Sequence, residues 1–399
     1  MLKTKKFGLL VIVLLGMIGL VACNNEDINL FPETIELAIE RAELAVATPG
    51  ISIALVDVES GFTWTHGFGY ANTLSGDPVT EDTMFMIASI SKTFTAITVM
   101  QLVEEGLIDL DEPIVTYLPE FSILPHPTYG GNYRNITTRM LLNHTAGIPR
   151  DYGMEGVYVF DGHGLKDVYT VDGHYSGFWN TSLAYISELT MDFEEGTSVA
   201  YSNIGYGILG KIIARVSGYE DTFEGFLSIT NENLFSPLGL TRSTYAIDDE
   251  LFIYLAKPYR DHRTQHNEII FINTLSSGAM YSTANNMAQL MQVILGDILN
   301  GDEQLLTQAS FMEMIDFNFD HTTIFGQTFG LGFIHQINSE NLETIGHDGS
   351  WSGYYSNMIF DLESGIGVFV AVNSDSARLL PTVLAEQILQ RAIDEKLGN

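Results

Sequence analysis

An apolar run from Phe7 to Ala22 follows Lys3, Lys5 and Lys6. A basic start and about 15 apolar residues read as a secretory signal segment, somewhat short for a membrane-spanning helix. Asn24 to Leu30 is polar and reads as a tether. Beyond it the pattern becomes periodic. Ile35, Ala38, Ile39, Ala42 and Val46 form one stripe, which predicts a helix over Pro32 to Val46, stopped by Pro49-Gly50. Ile51 to Val58 and Phe62 to Tyr70 read as two strands of a hairpin joined by Glu59-Ser60-Gly61. Met84 to Glu105 reads as a long helix, with Ile90, Phe94, Ile97 and Gln101 on one stripe and Gly106 as its stop.

From about Leu107 to Arg260 the rhythm changes. Helical runs such as Ile208 to Val216 are separated by loops, and Pro149 to Asn180 is an irregular excursion rich in Gly, Tyr and Asp. Near the end Glu343 to His347, Tyr354 to Asp361 and Gly367 to Asn373 read as strands. The last two are joined by a second Glu-Ser-Gly turn, Glu363-Ser364-Gly365, and Pro381 to Lys396 is a closing helix. The expected fold is α+β: an antiparallel sheet drawn from both chain ends, flanked by helices, with a mainly helical subdomain inserted. Residues 1–22 form the targeting segment and 23–30 the tether. The domain is 31–399, with its sheet part at about 31–106 and 261–399 and the insertion at about 107–260.

Composition narrows the chemistry. Fifty acidic residues against 18 Lys and Arg give a formal charge of −32, and losing the three leader lysines makes the mature chain more acidic still. Such a surface repels polyanions, so no nucleic-acid partner is expected. Hydrophobic residues make up 46%, enough for a packed core. Cys23 is the only cysteine, so neither an intramolecular disulfide nor a cysteine zinc cage is possible. His262 and His266 are four apart but lack the glutamate of a His-Glu-x-x-His site. Asp161-Gly162-His163 and Asp172-Gly173-His174 read as turns. No metal and no cofactor are expected. No Gly-x-Ser-x-Gly elbow occurs, which argues against an α/β-hydrolase.

Ser89-Ile90-Ser91-Lys92 stands at the start of the Met84 to Glu105 helix, where residues three apart share a face and free N–H groups favour developing negative charge. A serine hydroxyl needs a base, and a lysine can be that base only if its pKa falls, as apolar surroundings cause. Taken alone the pair is also compatible with a helix cap beside an exposed lysine. Tyr201-Ser202-Asn203 lies in a loop feeding a helix, and His347-Asp348-Gly349-Ser350 ends a strand.

These three elements in this order resemble the penicillin-recognising serine hydrolase family of class C β-lactamases, D-alanyl-D-alanine carboxypeptidases and related esterases. The resemblance extends to Ile136–Pro149, Tyr206–Gly210, Pro237–Leu240, Gly278–Ala284 and Asp361–Gly365. It implies a serine β-lactamase-like fold, with Ser89 as the acylated nucleophile, Lys92 as its base and Tyr201 as proton carrier to the leaving group. It further implies Asn203 at the substrate carbonyl region, and the N–H groups of Ser89 and Ser350, beside Gly349, as an oxyanion hole. His347 stands where many members carry lysine. As an imidazolium it would bind a substrate carboxylate, with a charge conditional near neutrality.

The implied substrates are D-amino-acid peptides, esters or β-lactams, and histidine in place of lysine points to the peptidase-like and esterase-like branches. A pocket that acylates and deacylates very slowly, serving as a penicillin-binding or wall-fragment sensor, would have the same sequence. Tyr152, Tyr158, Tyr169, Tyr175, Phe178 and Trp179 are either cleft lining or core. Leu20-Val21-Ala22-Cys23 resembles a bacterial lipoprotein box, which implies cleavage before Cys23, lipidation of its sulfur and anchoring on the extracytoplasmic membrane face. An ordinary signal peptide or an uncleaved anchor would leave Cys23 incidental.

Overall fold

The computed structural model describes residues 30–398 apart from 46, 152–174, 220, 249, 267–273 and 318–325. The expectations for Cys23, for Tyr152, Tyr158 and Tyr169, and for the two Asp-Gly-His triplets lie outside the described residues, as do the side chains of Tyr175 and Phe178. Among the described residues no helix is long and apolar enough to cross a membrane.

Helix α1 (Pro32–Glu43) leads into β1 (Gly50–Asp57), β2 (Phe62–Asn72) and the short β3 (Asp77–Pro78). Every residue of β1 is buried, as a strand covered on both faces requires. Its alternate side chains serve two cores. Ile51, Ile53 and Leu55 meet Phe31 and Ala38 of the N-terminal segment, and Leu384, Ile388 and Leu389 of α10 (Leu380–Leu397). Ala54 and Val56 join the larger core under the opposite face. The closing strands β8 (Glu343–Trp351), β9 (Tyr354–Asp361) and β10 (Ile366–Val372) complete the centre. β10 pairs antiparallel with β1, Ile53 opposite Val370, so the two chain ends meet in mid-sheet. The order is β3-β2-β1-β10-β9-β8-β7-β6, with β6 (Thr328–Phe329) and β7 (Ile334–Ile337) at the far edge. Both Glu-Ser-Gly turns hold their glycine in the left-handed region, Gly61 and Gly365 at φ +69° each.

The expected helix from Met84 begins late. Phe85–Met86 is a strand, β4, paired with β5 (Tyr281–Ser282), and Ala88–Ile90 is a single 3-10 turn before α2 (Ser91–Glu104). Met84, Phe85, Met86 and Ile87 are contiguous apolar residues without helical period, and all are buried. α2 is buried almost all round, and its threonines bond inward: Thr93 Oγ1 donates to the Gly332 carbonyl at 2.9 Å and Thr95 Oγ1 to that of Ser276 at 2.6 Å.

The insertion carries α3 (Thr138–Leu142), α4 (Tyr175–Ile186), α5 (Asn203–Val216) and α6 (Phe223–Thr230). Then come α7 (Leu275–Gly278), α8 (Ala284–Leu299), which packs on β1, β2 and β10, and α9 (Gln308–Met314). Trp179 is core: 5% exposed, against Phe223 and Phe226. His266 donates to or accepts from Asp375 through Nε2 at 2.6 Å.

Candidate active site

Ser89 sits half-buried in the 3-10 turn, between buried Ala88 and Ile90. The turn is forced. Ala88 has φ +47°, a conformation costly for a residue with a Cβ and found where surroundings over-determine the backbone. Here Ile87 N–H donates to the Met280 carbonyl at 2.9 Å, and the Ile87 carbonyl accepts from Ser356 Oγ at 2.9 Å. Ser91 Oγ bridges the other side, donating to the Ala88 carbonyl at 2.5 Å and accepting from Met280 N–H at 3.1 Å. Ser91 is thereby fully buried and engaged, whereas Ser89 keeps its hydroxyl toward Lys92.

Lys92 is one turn on, wholly buried. Its Nζ donates to Asn203 Oδ1 at 2.8 Å and to the Ser277 carbonyl at 2.7 Å, and lies 3.4 Å from Ser89 Oγ. Burial, helped by the nearby Arg150 cation, pushes its pKa well below the usual lysine range, against the pull of Asp151 and Asp348. A neutral amine has two N–H donors and one lone pair. With both donors given to Asn203 and Ser277, the lone pair is left for the Ser89 hydroxyl. The Ser277 carbonyl, a backbone group on α7, had no signal in the sequence.

Tyr201 lies beside this pair, its ring 4.6 Å from Lys92 Nζ, its hydroxyl in hydrogen-bonding contact with Ser89. Burial raises its pKa, outweighing the Ser89 contact, so the phenol stays protonated. Ser202 caps α5 by accepting from Gly205 N–H at 2.9 Å, which fixes the entry of Asn203 as the first helical residue. His144 holds the same loop. Its Nδ1 accepts from Ser202 N–H at 3.1 Å, and its ring packs 4.5 Å from Tyr201 and 4.9 Å from Phe329. It is 3% exposed with φ +64°, and burial together with Lys92, His347 and Arg150 pushes its pKa well down, so the ring is a neutral acceptor. Sequence reasoning had it only as part of a framework segment.

β8 supplies the opposite wall. β7 pairs with it only up to Gly346, so His347–Trp351 has β9 on one edge and no β7 partner on the other. That stretch packs against the Ser89 turn: a Cβ on Gly349 would stand 2.1 Å from the Ile87 carbonyl oxygen, so only glycine allows the approach. Ser350 follows, exposed. His347 is 4% exposed and Nδ1 meets the Asp348 carbonyl at 2.6 Å, which makes Nδ1 the protonated nitrogen. Burial first, then Lys92, push its pKa down to about 3. Burial in this strand position thus disfavours the imidazolium form in which His347 would bind a substrate carboxylate.

The structure thus brings Ser89, Lys92, Tyr201, Asn203, His347 and Gly349 to one place from three separate chain segments. The profile of the Beta-lactamase family matches residues 39–392. The chain is 24% identical over 309 residues to penicillin-binding protein 4* of Bacillus subtilis (strain 168), covering 74% of this chain and 61% of that protein. It is 26% identical over 321 residues to the D-alanyl-D-alanine-carboxypeptidase/endopeptidase AmpH of Escherichia coli (strain K12), covering 76% and 74%. The chain thus spans about three-fifths of the length of the Bacillus relative. A penicillin-binding protein homologue from Pyrococcus abyssi superposes with TM-score 0.67 at 26% identity, over 93% of this chain and 77% of that one. The D-amino acid amidase of Ochrobactrum anthropi SV3 shares the fold, with TM-score 0.71 at 22% identity over 92% and 99%. With the profile running from α1 into α10 across all three motifs, the chain belongs to the Beta-lactamase family of serine hydrolases.

Proposed function

We propose that this protein cleaves an amide or ester bond through an acyl-enzyme on Ser89, in the manner of a D,D-peptidase or a related esterase. The observation that carries the reading is the buried Lys92 amine, its pKa pushed well below the usual lysine range, with Asn203 Oδ1 and the Ser277 carbonyl as acceptors and Ser89 Oγ as the third neighbour of its nitrogen. Lys92 takes the hydroxyl proton as Ser89 Oγ bonds to the carbonyl carbon, and the backbone N–H groups of Ser89 and Ser350 receive the oxyanion. Collapse breaks the bond to the leaving amine or alkoxide, which takes a proton from the Tyr201 phenol. Tyr201 regains its proton from the Lys92 ammonium. A water then attacks the ester, with the same groups returning Ser89 to its starting state. The carboxypeptidase and amidase relatives support an amide or peptide substrate. The leader and Cys23 support action outside the cytoplasm on a lipid anchor.

The test uses the mature protein with a fluorophosphonate label, D-alanyl peptides, p-nitrophenyl esters and nitrocefin. Labelling lost in Ser89→Ala, with many turnovers per enzyme on a peptide or ester, is expected. Labelling that persists in Ser89→Ala refutes the nucleophile. A single stoichiometric release with a lasting adduct refutes turnover and assigns the slow, sensor-like behaviour instead.

A further inference from the structure

The end of β8 is held on one edge only. Beyond Gly346, residues His347–Trp351 pair with β9 and, among the described residues, with no strand on the other side. An edge left open in this way frays unless something else holds it. Ser350 stands opposite Tyr355 of β9, so their side chains share a face of the sheet. It is the opposite face from that of Gly349 and Ser356, which meet the Ile87 carbonyl beside the Ser89 turn.

That second face is clamped by one carboxylate. Asp375 opens the 3-10 turn Asp375–Ala377 that follows β10. Its Oδ1 accepts from Gly353 N–H, in the β8–β9 turn, at 2.7 Å and from the Tyr355 hydroxyl at 3.1 Å. Its Oδ2 meets His266 Nε2 at 2.6 Å. With its own hydrogen given to Asp375, the Tyr355 oxygen is left to accept from the Ser350 hydroxyl, with which it is in hydrogen-bonding contact. The links therefore run in one direction, from Ser350 through Tyr355 to Asp375. The carboxylate is itself anchored. Asp375 N–H donates to the carbonyl of buried Tyr259 at 2.9 Å, and Ser376 N–H to that of Arg260 at 3.1 Å. The same segment closes on the turn from outside: Gly353 has φ +77°, and a Cβ there would lie 2.4 Å from Pro258 Cβ and 3.1 Å from His266 Cδ2.

We propose that Asp375 is a positioning residue of the oxyanion wall, fixing the Ser350 N–H through the Tyr355 hydroxyl and the Gly353 amide while His266 orients its carboxylate. The inference rests on the acyl-enzyme reading and adds to it a residue outside all three sequence motifs. Asp375 acts through Tyr355 and Gly353, not on the reacting atoms. Its effect is geometric: an oxyanion donor contributes only when aimed at the place where charge develops, and a misplacement of about 1 Å costs about 100-fold.

The test compares a tetrahedral mimic with a planar ligand. Phenylboronic acid forms a tetrahedral adduct with a serine hydroxyl and places an oxygen where the oxyanion stands, whereas p-nitroacetanilide binds as a planar amide. Asp375→Asn and Tyr355→Phe should each lower kcat/KM on p-nitrophenyl butyrate about 10- to 100-fold and weaken phenylboronic acid by the same factor. Competitive inhibition by p-nitroacetanilide should stay within about twofold of the parent, which a merely loosened pocket would not allow. Ser350→Ala and Tyr355→Phe remove successive links of one chain, so the double variant should lose no more than about twofold beyond Tyr355→Phe alone. Thermal transitions above the assay temperature qualify each variant, and if Asp375→Asn does not fold, the milder Tyr355→Phe and Ser350→Ala decide alone. The proposal is overturned by kcat/KM within about threefold of the parent in the folded variants, by equal weakening of the planar and tetrahedral ligands, or by losses that multiply in the double variant. The acyl-enzyme reading is judged separately, by Ser89-dependent turnover in the parent protein.

Discussion

Lys92 Nζ stands closer to Asn203 Oδ1, at 2.8 Å, than to the Ser89 hydroxyl it is proposed to deprotonate, at 3.4 Å. The neutral amide is what makes this contact compatible with a base. Asn203→Asp would put a carboxylate at the same distance and favour the ammonium. A carboxylate this close raises a neighbouring cation's pKa by about 1–3 units. Lys92 acts only when neutral, so activity appears as pH rises through its pKa. The rising limb of kcat/KM should therefore move to higher pH in Asn203→Asp, with at least about a 100-fold loss at pH 7 that shrinks as pH increases. Asn203→Ala should lose activity without moving the limb upward by that amount. Profiles on a p-nitrophenyl ester check both; a limb that stays in place in Asn203→Asp removes Lys92 as the base.

His347 makes an opposite prediction about pH. A surface histidine would give up its charge near neutrality, and activity that needed the charge would fall as pH rose. Here burial holds the ring neutral down to about pH 3, so kcat/KM should show no descending limb from His347 between pH 5.5 and 8. Stability is where its titration appears. Below the ordinary value of about 6.5 the unfolded chain binds a proton that the folded chain refuses, so stability is lost as pH falls from there toward 3, by up to about 1.4 kcal/mol per pH unit. His144, also held neutral, acts with the same sign. Urea midpoints measured from pH 7 to pH 4 should fall less steeply in His347→Gln than in the parent. Parallel slopes would show that the ring is charged or solvated in the folded protein.

The contrast between these residues also shows what the sequence could and could not carry. Central strands were legible because β1 and β10 bury both faces, and their Glu-Ser-Gly turns are local signals with a local cause. The Ser89, Lys92, Tyr201 and Asn203 motifs were legible as residue types. The start of α2 was not. Ala88 adopts φ +47° without the glycine that would announce it, because Met280, Ser356 and Ser91 hold the backbone from far along the chain. The edge strands β6 and β7 are too short to show a period. The Ser277 carbonyl has no residue-type signature at all. The charge of His347 is left conditional by the sequence for a related reason: residue type gives the ordinary pKa, and only packing gives the burial that displaces it.

Gly349 tests the closure of the site most directly. An alanine Cβ there would lie 2.1 Å from the Ile87 carbonyl oxygen and 2.3 Å from Ser356 Oγ, and Ser356 Oγ is itself bonded to that same carbonyl at 2.9 Å. The clash is with backbone, so either β8 or the turn carrying Ser89 must move. Gly349→Ala should cost about 2–4 kcal/mol of stability, as overpacking and a broken buried contact do. It should also slow fluorophosphonate labelling of Ser89 by at least about 100-fold, since the oxyanion donors of Ser89 and Ser350 would no longer share one position. Ser356→Ala removes one of the two obstructing atoms. The double variant Gly349→Ala/Ser356→Ala should therefore be less destabilised than the sum of the single changes, by about 0.5–3 kcal/mol. Additive losses would mean that the strand and the nucleophile turn are not in contact at Gly349, and the wall assigned to β8 would have to be placed elsewhere.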